Sequence, residues 1–211
     1  AAELLSRSMP PGSFLEAIEN KFGCNIQLEG SVQKLPYLFP DMVITTNFDN
    51  VIEKCYNTAD LDFDEIKCGA EGQEVPRLLG EGKRVLIKLH GRANSSRQRI
   101  LTKTEYDTHY SSGSTLESVI VAISNRTLLF LGCSLSVDRT LKALDSIATR
   151  KGHENIPRHY AFLRLKDERE RLDRRDLLVK SNIFPIWFPE SDDPDECIEA
   201  LLWLLEDGVN E

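Results

Sequence analysis

Three short motifs carry side chains able to act on a polar ligand: Thr45-Thr46-Asn47-Phe48-Asp49, Lys88-Leu89-His90-Gly91 and Gly132-Cys133-Ser134. A carboxamide such as that of Asn47 offers donor and acceptor together, so it can hold a water and a hydroxyl at once. An imidazole with an ordinary pKa of about 6.5 can take a proton near neutral pH, which suits His90 to general-base work. A carboxylate beside them, Asp49, can orient a substrate, and orientation alone accounts for much of many rate enhancements. The same residue types have plainer uses. Asn and Asp turn a strand into a helix and cap it, and a histidine before a glycine can serve as a satisfied structural group. Ser134 and Ser136 suit the start of a helix near Asp138, where capping and anion binding are compatible.

Each motif follows a β-rich run, namely residues 41–45, 84–89 and 127–131. In open parallel sheets ligands bind beyond the carboxyl ends of the strands. An imidazole, a carboxamide, a carboxylate and a Gly-x-Ser turn at one such edge fit a sugar-containing anionic ligand better than an apolar one.

The elements that must position these groups are legible from periodicity. From residue 114 onward, helical patterns alternate with short apolar runs. The helices fall at 114–124, with Leu116, Val119, Ile120 and Ile123 on one face and a Ser114/Glu117 capping box, then at 138–149 and 167–179. A last helix starts at Asp193-Pro194 and is expected to stop at Gly208. Strands are expected at 127–131, 159–163 and 182–188. In the first half, a helix is expected at 13–22 and another opens at Asn50, with Glu53 completing a capping box. Residues 57–83, rich in glycine and acid, read as loops or a small insertion. Alternating helices and strands mean a parallel sheet with crossovers. No linker divides the chain, so residues 1–211 are expected to form a single α/β domain.

Composition narrows the function. Hydrophobic residues at 41% of the 211 allow a real core. The net charge is −8, from 26 basic and 34 acidic residues, and the pI is near 5.2, so neither direct nucleic-acid binding nor a membrane surface is expected. No apolar run reaches the roughly 20 residues that span a bilayer, and the N-terminus does not resemble a signal peptide, which points to the cytoplasm. Five scattered cysteines without a C-x-x-C pair argue for reduced thiols rather than a zinc module or disulfide scaffold. Cys133 reads as a packing residue, since no His-partnered motif accompanies it. Arg92, Arg97 and Arg99 read as a solvated loop, the charged run 166–176 as exposed ion pairs, and His109, His153 and His159 as residues without chemistry.

The three motifs, the last extended as Leu129-Phe130-Leu131-Gly132-Cys133-Ser134-Leu135-Ser136, stand in the order and approximate spacing of sirtuin-like domains. The resemblance covers roughly residues 36–165 and is strongest to the bacterial branch found in anti-phage defence proteins. It implies a Rossmann-like, doubly wound, mainly parallel sheet with helices on both faces that binds NAD as substrate and uses no metal. Carried over by position, Asn47 orders the nicotinamide ribose and the attacking water, His90 is the general base and Asp49 meets the nicotinamide carboxamide. Thr46 joins the cofactor-binding set. Gly132 and Ser134 meet the phosphates or the adenosine ribose, with Ser136 and Asp138 nearby.

The family's glycine-rich phosphate loop is not found after Ala1: either it lies upstream, the chain being expected to be a fragment of a longer one, or it has been lost. The absent four-cysteine module shifts weight from acyl-lysine removal toward plain NAD cleavage. The resemblance therefore implies an NAD hydrolase that releases nicotinamide and ADP-ribose as a defence effector. Restraint would come from a homo-oligomer or a regulatory partner. An NAD-dependent deacylase and a non-catalytic module sensing NAD or ADP-ribose are the alternatives.

Overall fold

The computed structural model describes residues 2–23, 27–95, 99–110, 115–135, 139–165, 167–190 and 193–209. Ser136 and Asp138 lie outside the described residues, as do Ser114, Arg97 and Cys24. Parallel strands flanked by helices give the expected Rossmann-like α/β architecture. The chain divides into two compact units, Ala1–Val119 and Ile120–Glu211, and each holds one three-stranded sheet.

In the first unit, helices α1 (Ala2–Ser8), α2 (Pro11–Phe22) and α3 (Leu35–Leu38) precede β1 (Met42–Thr45). Helix α4 (Val51–Thr58) leads to β2 (Glu65–Cys68), and α5 (Val75–Gly80) leads to β3 (Val85–Lys88). All pairs are parallel in the order β1-β3-β2, so β3 lies between its neighbours and its four residues are all buried. The continuous apolar run Val85-Leu86-Ile87 is the signature of a strand covered on both faces.

Residues 57–83, read as loops or a small insertion, instead contain β2 and α5. Strand β2 reads Glu-Ile-Lys-Cys, a charged sequence whose Lys67 bonds Glu65 at 3.2 Å and Glu74 at 2.7 Å. It becomes a strand because β3 offers it a hydrogen-bonding edge, a tertiary effect that local pattern does not carry. Helix α6 (Lys103–His109) was also unexpected from periodicity, though a Thr102/Glu105 capping box marks its start.

In the second unit the elements are β4 (Leu129–Phe130), α8 (Arg139–Lys151), β5 (His159–Leu165), α9 (Arg171–Val179), β6 (Ile183–Pro189) and α10 (Pro194–Val209). Helix α7 (Thr115–Ile123) spans the boundary between units. The sheet order is β4-β5-β6, all parallel, with α8 and α9 as crossovers. Expected inward faces are buried as read: Val119, Ile120 and Ile123 on α7, and Leu141, Leu144 and Ala148 on α8. The Asp193 carboxylate accepts from the Asp195 and Glu196 amides, so α10 starts where its Asp-Pro signal placed it. Gly208 does not stop this helix, which runs through Val209.

Strand β4 is shorter than the apolar run 127–131 and only half-buried. The Leu128 amide is drawn off to His159 Nδ1 at 3.3 Å, although the Leu128 carbonyl still accepts from Tyr160 at 2.8 Å. His159, at the start of β5, is fully buried, and burial pushes its pKa down to about 4. Its Nε2 has no hydrogen-bond partner among the described residues.

A histidine with a pKa near 4 when folded and about 6.5 when unfolded binds protons more readily in the unfolded chain. Its contribution to stability is complete above the unfolded value and is lost as pH falls from about 6.5 towards about 4, by an amount on the order of 3 kcal/mol. His159→Asn keeps an acceptor for the Leu128 amide but cannot titrate. Thermal melts between pH 7 and pH 4 will show a shallower acid loss for this variant than for the wild type, with a lower melting temperature at pH 7 from the missing ring.

Candidate active site

The site is built on the register of β1 and β3. Thr45 pairs with Lys88, and the Leu89 amide donates to the Thr45 carbonyl at 2.9 Å. The Ala93 amide donates to the Phe48 carbonyl at 3.2 Å, so the two chains stay side by side after leaving the sheet. The strand exits that carry Asn47 and His90 therefore leave the same carboxyl edge as immediate neighbours.

On the first exit, Thr46 and Asn47 are exposed, and the Asn47 amide donates to Thr45 Oγ1 at 3.1 Å. Thr45 thus holds the turn through its hydroxyl. Asp49 Oδ1 accepts from the Val51 amide at 3.1 Å, so the carboxylate organises the first turn of α4. The Asn50/Glu53 capping box does not form, because Asn50 makes no side-chain cap bond. Glu53 turns instead to Lys88.

Lys88 is wholly buried, and its Nζ donates to Glu53 Oε1 at 2.8 Å, to the Asp49 carbonyl and to Asn50 Oδ1 at 3.5 Å. One ammonium at the end of β3 thereby fastens the whole β1-to-α4 turn. Glu53 Oε2 is buried without a hydrogen-bond partner among the described residues. Periodicity did not single out Lys88; a lysine inside an apolar strand run was the available signal.

His90 follows two residues later and is 9% exposed. The Tyr110 hydroxyl lies 2.8 Å from Nε2 and the Tyr106 hydroxyl 3.2 Å from Nδ1. The Tyr106 ring meets the imidazole edge-on at 4.9 Å between centroids, and the Tyr110 ring stacks on that of Tyr106 at 5.9 Å. Both tyrosines come from α6 and its C-cap. Sequence reasoning missed them because their spacing matters only once α6 exists.

His109, read as having no chemistry, is half-buried with Nε2 3.0 Å from the Leu89 carbonyl, and burial holds its pKa below the ordinary value. Gly69 makes this approach possible, since a Cβ there would run into the His109 ring and the Leu89 carbonyl. Arg99 is not part of a solvated loop. It is buried, bonds the Ala93 carbonyl at 3.2 Å and lies over the Phe14 ring, and burial lowers its pKa.

In the second unit, β4 exits into Gly132, at φ +66 and exposed, then half-buried Cys133 and exposed Ser134. Leu135 is also left-handed at φ 47 and buried, which folds the exit into a tight hook. Arg174 of α9 holds that hook. Its guanidinium donates to the Ser134 carbonyl and, at 3.4 Å, to that of Arg164, and it lies 5.6 Å from the Trp187 ring centre. Around it the expected exposed ion pairs do form, between Arg169 and Asp167 and between Arg171 and Glu168.

No disulfide joins the described cysteines 55, 68, 133 and 197, and burial raises the pKa of Cys55 and Cys68. Among the described residues no group of three or more metal-ligating side chains occurs, and no helix is long and apolar enough to cross a membrane. A hollow of about 380 Å³ lined by His153, Asp176, Val179, Lys180 and Asn182 lies by the amino end of β6.

Parallel sheets flanked by helices place the protein in the α/β class, in which ligands bind beyond the carboxyl ends of the strands. The sequence model of the SIR2-like domain matches residues 41–186, more than half of the chain. The chain belongs to the SIR2-like family, whose members are in general NAD-dependent enzymes. The matched span begins just before β1 and ends within β6, so among the described residues it includes β1 to β5 whole and the first part of β6. No curated protein matches the chain.

Lys88→Met will leave the Glu53 carboxylate uncompensated in a largely buried setting and should destabilise the protein by about 3–5 kcal/mol. Lys88→Met with Glu53→Leu should cost less than Lys88→Met alone. Urea unfolding of the three proteins measures both quantities; a double variant less stable than Lys88→Met overturns the pairing as the source of the loss.

Proposed function

We propose that the chain is an NAD hydrolase that cleaves the bond between nicotinamide and ribose. The observation that carries this reading is the β1–β3 register, which brings the exits bearing the carboxamide of Asn47 and the imidazole of His90 to adjacent positions on one sheet edge. A ligand lying across these exits meets Asn47 in solvent and, deeper, the His90 cluster.

The chemistry needs positioning more than force. The glycosidic C–N bond breaks with its electron pair going to the nicotinamide nitrogen, so the pyridinium departs as neutral nicotinamide without an acid. The ribose left behind is oxocarbenium-like. Water adds to that carbon and its proton is taken up by the protein, giving ADP-ribose. Asn47 holds the water and a ribose hydroxyl through its two amide functions, and His90 accepts the proton. Asp49 presents its carboxylate toward the nicotinamide amide while one of its oxygens remains on the Val51 amide. Thr46 borders the same turn. Gly132 and Ser134, with Ser136 and Asp138, are the residues that the family resemblance assigns to phosphate or adenosine ribose.

The setting proposed is a bacterial cytoplasm, where the enzyme is an anti-phage effector that depletes NAD. It is restrained until a trigger by assembly with copies of itself or with a regulatory partner.

Asn47→Ala and His90→Ala should each reduce nicotinamide release from NAD by at least about 100-fold with the melting transition preserved for Asn47→Ala. The assay is run on the full-length protein with and without acylated peptide. Release that requires the peptide identifies a deacylase, and nucleotide binding without release identifies a sensing module.

A further inference from the structure

His90 cannot meet a ligand directly with either ring nitrogen as the cluster stands. The imidazole is 9% exposed, Nε2 is engaged by the Tyr110 hydroxyl at 2.8 Å and Nδ1 by the Tyr106 hydroxyl at 3.2 Å. Tyr106 and Tyr110 are both half-buried, so they stand further toward solvent than the ring they flank. A neutral imidazole carries one N–H and one acceptor nitrogen, and a phenol can donate or accept. Either tautomer can satisfy both contacts; in the one protonated at Nδ1, the Nδ1–H donates to Tyr106 and the Tyr110 O–H donates to Nε2.

Resting on the NAD-hydrolase reading, we propose that Tyr110 is a further catalytic residue, a proton relay between the attacking water or ribose hydroxyl and His90, and that Tyr106 is a positioning residue that selects the His90 tautomer. In the relay, the ligand O–H gives its proton to the Tyr110 oxygen as the Tyr110 proton moves to His90 Nε2. Tyr110 ends as neutral phenol and His90 as imidazolium, held by Tyr106 at Nδ1. No oxidant or second reactant is needed. The 2.8 Å separation is within the reach required for such a transfer. The edge-on packing of Tyr106 against the imidazole, and the stacking of the two phenols, fix the three rings as one unit.

The test uses full-length wild type, Tyr110→Phe, Tyr106→Phe and His90→Ala. It measures kcat and KM for nicotinamide release, ADP-ribose affinity by calorimetry, and the His90 tautomer by nitrogen NMR. Tyr110→Phe should lower kcat by about 100-fold with KM and ADP-ribose affinity unchanged, because only the transferring hydroxyl is lost. Tyr106→Phe should lower kcat by a smaller factor and shift the His90 nitrogen signals from one tautomer to a mixture. If Tyr110→Phe keeps wild-type kcat while His90→Ala is inactive, the relay is wrong and the hydrolase reading stands. A Tyr110→Phe variant that no longer binds ADP-ribose overturns the relay in favour of a structural role. A wild type that releases no nicotinamide overturns both.

Discussion

The buried ammonium of Lys88 is the constraint from which the candidate site follows. A lysine with no solvent exposure must be given partners, and here those partners are the Asp49 carbonyl, Asn50 Oδ1 and the Glu53 carboxylate. All belong to the turn and first helical turn after β1. Desolvating both charges is expensive, so the pair does less for overall stability than for specificity: any other path of this turn leaves a charge unpaired in a low-dielectric interior. The consequence is a defined exit for Thr46 and Asn47. The same strand that supplies Lys88 carries His90 two residues on, so the anchor and the proposed base move as one body.

Around His90 the structure trades access for order. The two tyrosines satisfy both ring nitrogens and stack on one another, while Asn47 remains in water. An exposed carboxamide and a caged imidazole suit different tasks. The first can exchange one hydrogen-bonding partner for another at little cost, whereas the second is held in one orientation. The second unit orders its own strand exit by another route. There Arg174 bonds two backbone carbonyls, one of them that of exposed Ser134, with Gly132 and Leu135 both at positive φ. A planar guanidinium is well suited to this because its fork can hold two acceptors in fixed directions.

Much of the fold was readable in advance because its signals are local. Buried runs marked β3 and the strand at 159–165, helical spacing marked α7 and α8, and the Asp193-Pro194 start of α10 was fixed by capping chemistry within four residues. Gly208 misled because a glycine near a helix end can stay helical when the next residue still finds its partner. Residues 57–83 misled because β2 has a charged sequence and depends on β3 for its edge. The motifs around Asn47, His90 and Ser134 were visible as residue types after strands, and the SIR2-like match over 41–186 bears out the family they suggested.

The amino-acid sequence by itself determined the alternation of helices with strands, the polar residues that leave the strand ends, and through them the family, since each is written in neighbours a few positions apart. Tertiary structure alone decided that Glu53 serves Lys88 rather than a capping box, that Arg99 is buried, and that Tyr106 and Tyr110 enclose His90. The Glu53–Lys88 pair and the two tyrosine contacts to His90 join residues 16 to 35 positions apart. Such pairings are set by which desolvated groups can find partners once the sheet has formed, a condition that no local pattern encodes.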